Sequence, residues 1–112
     1  MIMKIPWKPL IMVALHKKGG SSTLQEIYSD LQVGVAKTYS QEKFTRHIRP
    51  ALAYLRKRGL TENPKRGFWK LSPGGHLEVA HMQARVSRIH PQMSTVPLHL
   101  LIEALRPFEE SI

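Results

Sequence analysis

Arg58-Gly-Leu-Thr-Glu-Asn-Pro-Lys-Arg-Gly-Phe-Trp-Lys-Leu-Ser-Pro-Gly-Gly75 decides the reading of this chain. Gly59 closes a helix whose last turn carries Arg56, Lys57 and Arg58, where cations suit the negative end of the helix dipole. Leu60–Asn63 and Phe68–Leu71 fit two short strands. Pro64-Lys-Arg-Gly67 supplies the turn between them: proline presets its φ, and glycine accepts the positive φ of a tight hairpin. Ser72-Pro73 then reads as an N-cap with proline at the first helical position. Period-2 alternation places Phe68 and Lys70 on one face and Trp69 and Leu71 on the other. One aromatic is expected in the core and the other partly exposed beside the basic tip, with Trp69 favoured as the core residue.

Upstream, Ser40 is a good N-cap for a helix running to Arg58. Phe44, Ile48, Ala51, Leu52 and Leu55 recur at helical spacing, with Tyr54 at the core edge, and Arg46, Arg49, Ala53, Arg56 and Lys57 occupy the other side. Pro50 removes one backbone hydrogen bond, so a bend or two abutting helices are expected there. A first helix is expected from Pro6 or Pro9 to Lys18, with Leu10, Ile11, Val13, Ala14 and Leu15 apolar and Gly19-Gly20 as its stop. A short second helix starts at Ser22 or Thr23, where Ser22 with Gln25 or Thr23 with Glu26 gives capping-box spacing. Val33–Tyr39 is a loop or a small strand broken by Gly34. After the hairpin, a helix carrying Leu77, Ala80, His81, Ala84, Val86 and Ile89 is expected to run to about Arg88. His90–Thr95 is a break, and a last helix from about Val96 to Glu109 shows the stripe Leu98, Leu101, Ile102, Leu105 and Phe108.

The order helix, helix, helix, two-stranded wing, helix, helix predicts a mainly α fold: a winged helix-turn-helix over residues 1–90 with a C-terminal helical extension over 91–112. The length of 112 residues suits one domain. A net charge of +9 and a pI of about 10.3 favour a polyanionic partner, nucleic acid before membrane surface. Charge is concentrated in residues 37–70, which hold ten Lys or Arg against Glu42 and Glu62. Cysteine is absent, which excludes disulfides and thiolate metal sites and makes the cytoplasm the default location. No run of residues reads as a signal peptide or reaches the length of a membrane span.

Arg46-x-x-Arg49-x-Ala51-x-x-Tyr54-Leu55-Arg56-Lys57-x-Gly59-Leu60, followed by Glu62-x-Pro64-Lys65-Arg66-Gly67-x-Trp69-x-Leu71-Ser72-Pro73-x-Gly75, resembles the N-terminal domain of the Mrr-type restriction endonucleases. The likeness covers roughly residues 40–80. It implies a winged helix that binds DNA. In that family the domain is joined to a nuclease domain, for which these 112 residues hold no counterpart. Pro50 departs from the family pattern, which often has a large residue there.

A winged helix offers the exposed face of its third helix to the major groove and its wing to the backbone. Gln41, Lys43, Thr45, Arg46 and Arg49 are therefore the candidates nearest bases and flanking phosphates, since Arg reads guanine and Gln reads adenine bidentately. Lys65 and Arg66 are candidates for backbone or minor-groove contact, with Arg56 and Lys70 behind them and Lys17 and Lys18 at the flank. A solvated basic face is the alternative for each. Trp7 is expected to pack rather than bind.

Metal and catalytic chemistry find no support. His76 and His81 are badly spaced for one helix face, and no His-Glu-x-x-His pattern occurs. Gln41-Glu42-Lys43 resembles the end of a nuclease motif but lacks an acidic partner on a preceding strand. The expected protein is thus non-enzymatic and without cofactor: a small transcriptional regulator that binds double-stranded DNA. The 98–108 stripe packs back on the first helix or pairs two copies, with a homodimer favoured. A protein–protein module and an RNA-binding protein are the alternatives.

Overall fold

The computed structural model describes residues 6–35, 41–89 and 98–111, with side chains for 6–30, 46–88 and 104–110. The elements run α1 (Trp7–Lys17), β1 (Ser21–Thr23), α2 (Leu24–Val35), α3 (Gln41–Lys57), β2 (Thr61–Lys65), β3 (Phe68–Leu71), α4 (Pro73–Ile89) and α5 (Leu98–Ser111). They form a winged helix-turn-helix with an additional C-terminal helix. The expected fold class is therefore present, with one strand more than the sequence suggested.

That strand is β1. It pairs antiparallel with β3 in the order β1-β3-β2, with Ser22 opposite Trp69 and Thr23 opposite Phe68. The sequence reading began a helix at Ser22 or Thr23. The helix does begin beside them, capped by Thr23: its hydroxyl accepts the Glu26 N–H at 3.1 Å, and Glu26 Oε1 accepts the Thr23 N–H at 3.2 Å. Three residues are too few to show a strand period, so β1 is specified by its partner.

α1 lies at the centre and touches every other helix and the sheet. Trp7, Leu10, Ile11, Met12, Ala14 and Leu15 are buried, so nearly its whole circumference is covered, which is the pattern of an internal helix. Around it pack Ile27 of α2, Ile48, Leu52 and Leu55 of α3, Leu71 of β3, Val79, Met82 and Val86 of α4, and Ala104 and Leu105 of α5. The described part of the α5 stripe thus joins the chain's own core. Leu98, Leu101 and Ile102 lie outside the described side chains.

Both glycine stops act as expected. Gly19 (φ +82°) follows α1, with the Gly20 N–H donating to the Leu15 carbonyl at 2.9 Å; Gly59 (φ +75°) follows α3, with the Leu60 N–H donating to the Leu55 carbonyl at 2.9 Å. α3 is one helix with Pro50 exposed inside it, not two abutting helices. Solvent can satisfy the carbonyl that Pro50 leaves without a helical donor. The Phe44 side chain lies outside the described side chains, and the Ser40 cap outside the described residues.

One burial expectation fails. Tyr54 is exposed rather than at the core edge, with the Lys8 ammonium 4.4 Å from its ring centroid. On α4, Leu77 is 59% exposed, and Ala80, His81 and Ala84 are also exposed. The buried stripe is Gly75, Val79, Met82 and Val86. Its phase is set by Gly75, where an added Cβ would lie 2.1 Å from the Leu60 carbonyl oxygen. A glycine contributes nothing to a hydrophobic pattern, so this anchor was invisible to periodicity. Among the described residues, no helix is long and apolar enough to cross a membrane.

Candidate nucleic-acid interface

The hairpin built from β2 and β3 is held to the helix-turn-helix at both ends. At its base, Thr61 Oγ1 donates to the Leu52 carbonyl of α3 at 3.3 Å. The Ser72 N–H donates to the Leu60 carbonyl at 3.1 Å, and the Ser72 hydroxyl donates to the Gly59 carbonyl. The same hydroxyl accepts the Gly75 N–H at 3.0 Å, which is the N-cap anticipated at Ser72-Pro73. At the tip, the Gly67 carbonyl accepts the Leu24 N–H, the first of α2, at 2.9 Å.

The tip is shorter than the sequence implied. Pro64 and Lys65 belong to β2, leaving Arg66-Gly67 as the turn. Proline is tolerated there because β2 is an edge strand and the register slips between Glu62 and Lys65. Asn63 stabilises the irregularity: its Nδ2 donates to the Lys65 carbonyl at 3.0 Å and to the Phe68 carbonyl at 2.7 Å. Its position just before Pro64 was the one available hint of a turn-bracing side chain.

Two depressions flank this hairpin. One, of about 450 Å³, separates α3 from the wing and is lined by Leu24, Arg49, Leu52, Ala53, Asn63, Arg66, Gly67 and Trp69. The other, of about 500 Å³, is lined by Arg56, Gly59, Thr61, Glu62, Asn63, Pro64, Lys70 and Ser72. The fold therefore brings Arg49 beside Arg66, and Arg56 beside Lys70. Arg49, Ala53 and Arg56 share one face of α3 by their helical spacing.

Charge is distributed unequally over these cations. Lys70 lies opposite Glu62 in the sheet and pairs with it at 3.2 Å, so its charge is largely cancelled. Lys65 sits with its ammonium 5.2 Å from the Phe68 ring centroid. Arg49, Arg56, Lys65 and Arg66 are exposed, and among the described residues no carboxylate lies within ion-pair distance of them. Arg46 is also exposed. Burial pushes the Tyr28 phenol of α2 above its usual 10.0, and the positive charge of Arg49 opposes that rise. Arg49 thus stands close to α2 as well as to the wing.

Lys18 is occupied elsewhere, 3.6 Å from Asp30 and 4.0 Å from Glu26. Gln41, Lys43 and Thr45 lie in the first turns of α3, with side chains outside the described set. Trp7 is buried and stacks on His47 of α3, centroids 5.2 Å apart and planes 10° apart. Trp69 and Phe68 are both half-buried, and Trp69 packs against the core. Among the described residues, no three His, Cys, Asp or Glu side chains gather in a way that could hold a metal.

The arrangement presents guanidinium groups from two directions around open depressions. Such groups bind phosphate oxygens bidentately and do so without losing their charge at any physiological pH. No family model and no curated protein matches the chain. The likeness to an Mrr-type domain accordingly rests on its sequence motif alone. Among solved structures, the crystal structure of T. acidophilum IdeR superimposes with a TM-score of 0.54 at 17% identity. The superposition covers 99% of this chain and 50% of that one, so this chain spans half the length of the protein it matches. At that identity the likeness is one of fold: this chain has a winged-helix fold similar to that found in T. acidophilum IdeR.

Proposed function

We propose that the chain is a cytoplasmic DNA-binding protein of regulatory type, with α3 in the major groove and the wing along the adjoining backbone. The observation that carries this reading is the set Arg49, Arg56, Lys65 and Arg66: exposed, free of carboxylate partners among the described residues, and spread over the recognition helix and the wing of one fold. The sequence likeness to the DNA-binding domain of Mrr-type endonucleases supports the same conclusion. Gln41, Lys43, Thr45 and Arg46 complete the proposed helix face, and Lys70 takes a lesser part because Glu62 neutralises it. A homodimer through the C-terminal helix belongs to the proposal as well. It would use the part of α5 that Ala104, Leu105 and Phe108 do not commit to the chain's own core.

Titration of duplex DNA at several salt concentrations tests the reading. Each phosphate neutralised contributes about −0.9 to the slope of log K against log salt, so four contacts give a slope of about −3 to −4. Arg66→Ala weakens binding to all duplexes alike and flattens the slope by about one contact's share. Arg49→Ala changes the preference among sequences. Absence of duplex binding at low salt overturns the proposal, and equal loss on every sequence overturns the base-reading role of Arg49.

A further inference from the structure

The rim of the Arg49–Arg66 cleft suits a phosphate, but its floor does not. Leu52 is fully buried beneath it, Leu24 and Trp69 are half-buried, and Ala53 completes an apolar lining. At about 450 Å³ the cleft falls within the range of roughly 300–1,000 Å³ usual for sites that take small organic groups. Intact B-form DNA turns phosphates and base edges outward and keeps its base faces stacked inside. An indole and the half-buried Leu24 gain little from a phosphate. They gain much from the face of an unstacked base, since base–aromatic contact is available to any base that leaves the stack.

The polar groups around the floor fit the same guest. Arg49 approaches from α3 and Arg66 from the turn of the wing, so the apolar lining is bordered by cations of two different elements. Asn63 spends its amide hydrogens on the Lys65 and Phe68 carbonyls. Its side-chain oxygen keeps its acceptor capacity, which an exocyclic amino group of a base can use. The cleft walls are also held in place without a ligand, because the Gly67 carbonyl is bonded to the first N–H of α2. A site whose walls are already fixed binds at lower entropic cost.

We propose that this cleft takes a single unpaired DNA nucleotide, its base against Trp69 and Leu24 and its flanking phosphates on Arg49 and Arg66. The inference rests on the DNA-binding reading and adds to it a substrate preference: DNA with an unpaired or extruded base over the intact duplex. Extrusion costs a few kcal/mol of unstacking in a paired base and least where the base is already unpaired, which gives the selectivity its sign.

The test compares three short duplexes of one sequence: intact, with a one-nucleotide bulge, and with an abasic residue at the bulge. The abasic control has the same backbone flexibility and charge and lacks only the base. The base bulge is expected to bind about tenfold tighter than both others, from the contribution of one base–aromatic contact. With 2-aminopurine at the bulge, its emission should be quenched on binding. Trp69→Leu should remove the advantage of the bulge while intact-duplex affinity stays, and Trp7→Phe should leave both unchanged. The quenching measurement needs no variant, so it decides the matter even where Trp69→Leu does not fold. Equal affinity for bulge and abasic bulge, or no quenching in the bound state, overturns this inference while leaving the DNA-binding reading intact. Failure of all three duplexes to bind at low salt overturns the underlying reading instead.

Discussion

Gly74 and Gly75 are adjacent in the first turn of α4, yet alanine should have opposite effects at the two. On helix propensity alone, each Gly→Ala change stabilises by up to about 1 kcal/mol. At Gly74 nothing opposes this gain: the new Cβ meets the Gly59 carbonyl oxygen at 3.5 Å, Ser72 Oγ at 3.7 Å and Leu60 Cδ2 at 3.8 Å, all ordinary contacts. At Gly75 it would lie 2.1 Å from the Leu60 carbonyl oxygen and 3.0 Å from Leu71 Cδ2. Relief requires α4 to retreat by more than about 1 Å, since ordinary contact begins at 3.4 Å. That movement pulls on the Ser72 N–H, which is bonded to the same Leu60 carbonyl. A hydrogen bond is worth about 1 kcal/mol net, and forced overpacking costs about 1–3 kcal/mol. Gly75→Ala should therefore destabilise by about 1–3 kcal/mol after the propensity gain is subtracted. Gly74→Ala should be neutral or stabilising by about 0.5 kcal/mol. Urea denaturation followed by circular dichroism reads both as shifts in midpoint at constant slope. In thermal unfolding the destabilised variant should fall by several degrees, at about 4 °C per kcal/mol for a chain of this size. If Gly75→Ala proves as stable as Gly74→Ala, the account of what sets the phase of α4 is wrong.

Glu62→Gln frees Lys70 from its ion pair at 3.2 Å and should tighten duplex binding by a small factor while steepening the salt dependence; unchanged affinity would show that Lys70 lies off the DNA path. Hydrogen bonds from the Thr23 N–H and then the Thr23 hydroxyl hold the Glu26 carboxyl below its usual 4.5. A depressed carboxylate stabilises the fold fully above 4.5 and ceases to do so as pH falls through its lowered folded value, so Glu26→Gln should flatten the stability profile in that acidic range and nowhere else. Glu109→Ala removes the acceptor of the Lys8 N–H at 3.0 Å and should cost about 1–2 kcal/mol in chemical denaturation, because Pro6 offers α1 no side-chain cap of its own.

How much of this was legible in the sequence depends on how local the cause is. Gly19, Gly59, Ser72-Pro73 and the Thr23/Glu26 pair act through bonds within a few residues of themselves, and each is read correctly from its spacing. Ile48, Leu52 and Leu55 are buried as their period requires. Errors arise where the determining partner is distant. β1 exists because Ser22 faces Trp69, and Tyr54 lies exposed beneath the ammonium of Lys8 from α1. The candidate site divides in the same way. Arg49, Arg56, Lys65 and Arg66 were legible as exposed cations, because charge resists burial. Their grouping into Arg49 with Arg66, and Arg56 with Lys70, depends on which way the hairpin leans, and the cancellation of Lys70 depends on the register that puts Glu62 across from it.

That lean is itself determined by a small node. Residues 59–61 leave α3 and are gripped from two sides: Thr61 by the Leu52 carbonyl, and Gly59 and Leu60 by the hydroxyl and N–H of Ser72. Gly75 lets α4 press directly on the same Leu60 carbonyl. The wing therefore cannot swing about its base without breaking bonds to α3 and to α4 together. At the other end, the Gly67 carbonyl is tied to α2. A hairpin held at base and tip keeps the backbone of Arg66 at a set position relative to that of Arg49, so only the two exposed side chains are left to order on binding. Attachment points already fixed need not be ordered by the ligand. The consequence is that substitutions at Ser72 or Gly75, remote from the cleft, should weaken binding by loosening the wing, and should do so without altering the number of phosphates counted by the salt slope. Loss of affinity with an unchanged slope separates a loosened frame from a lost contact.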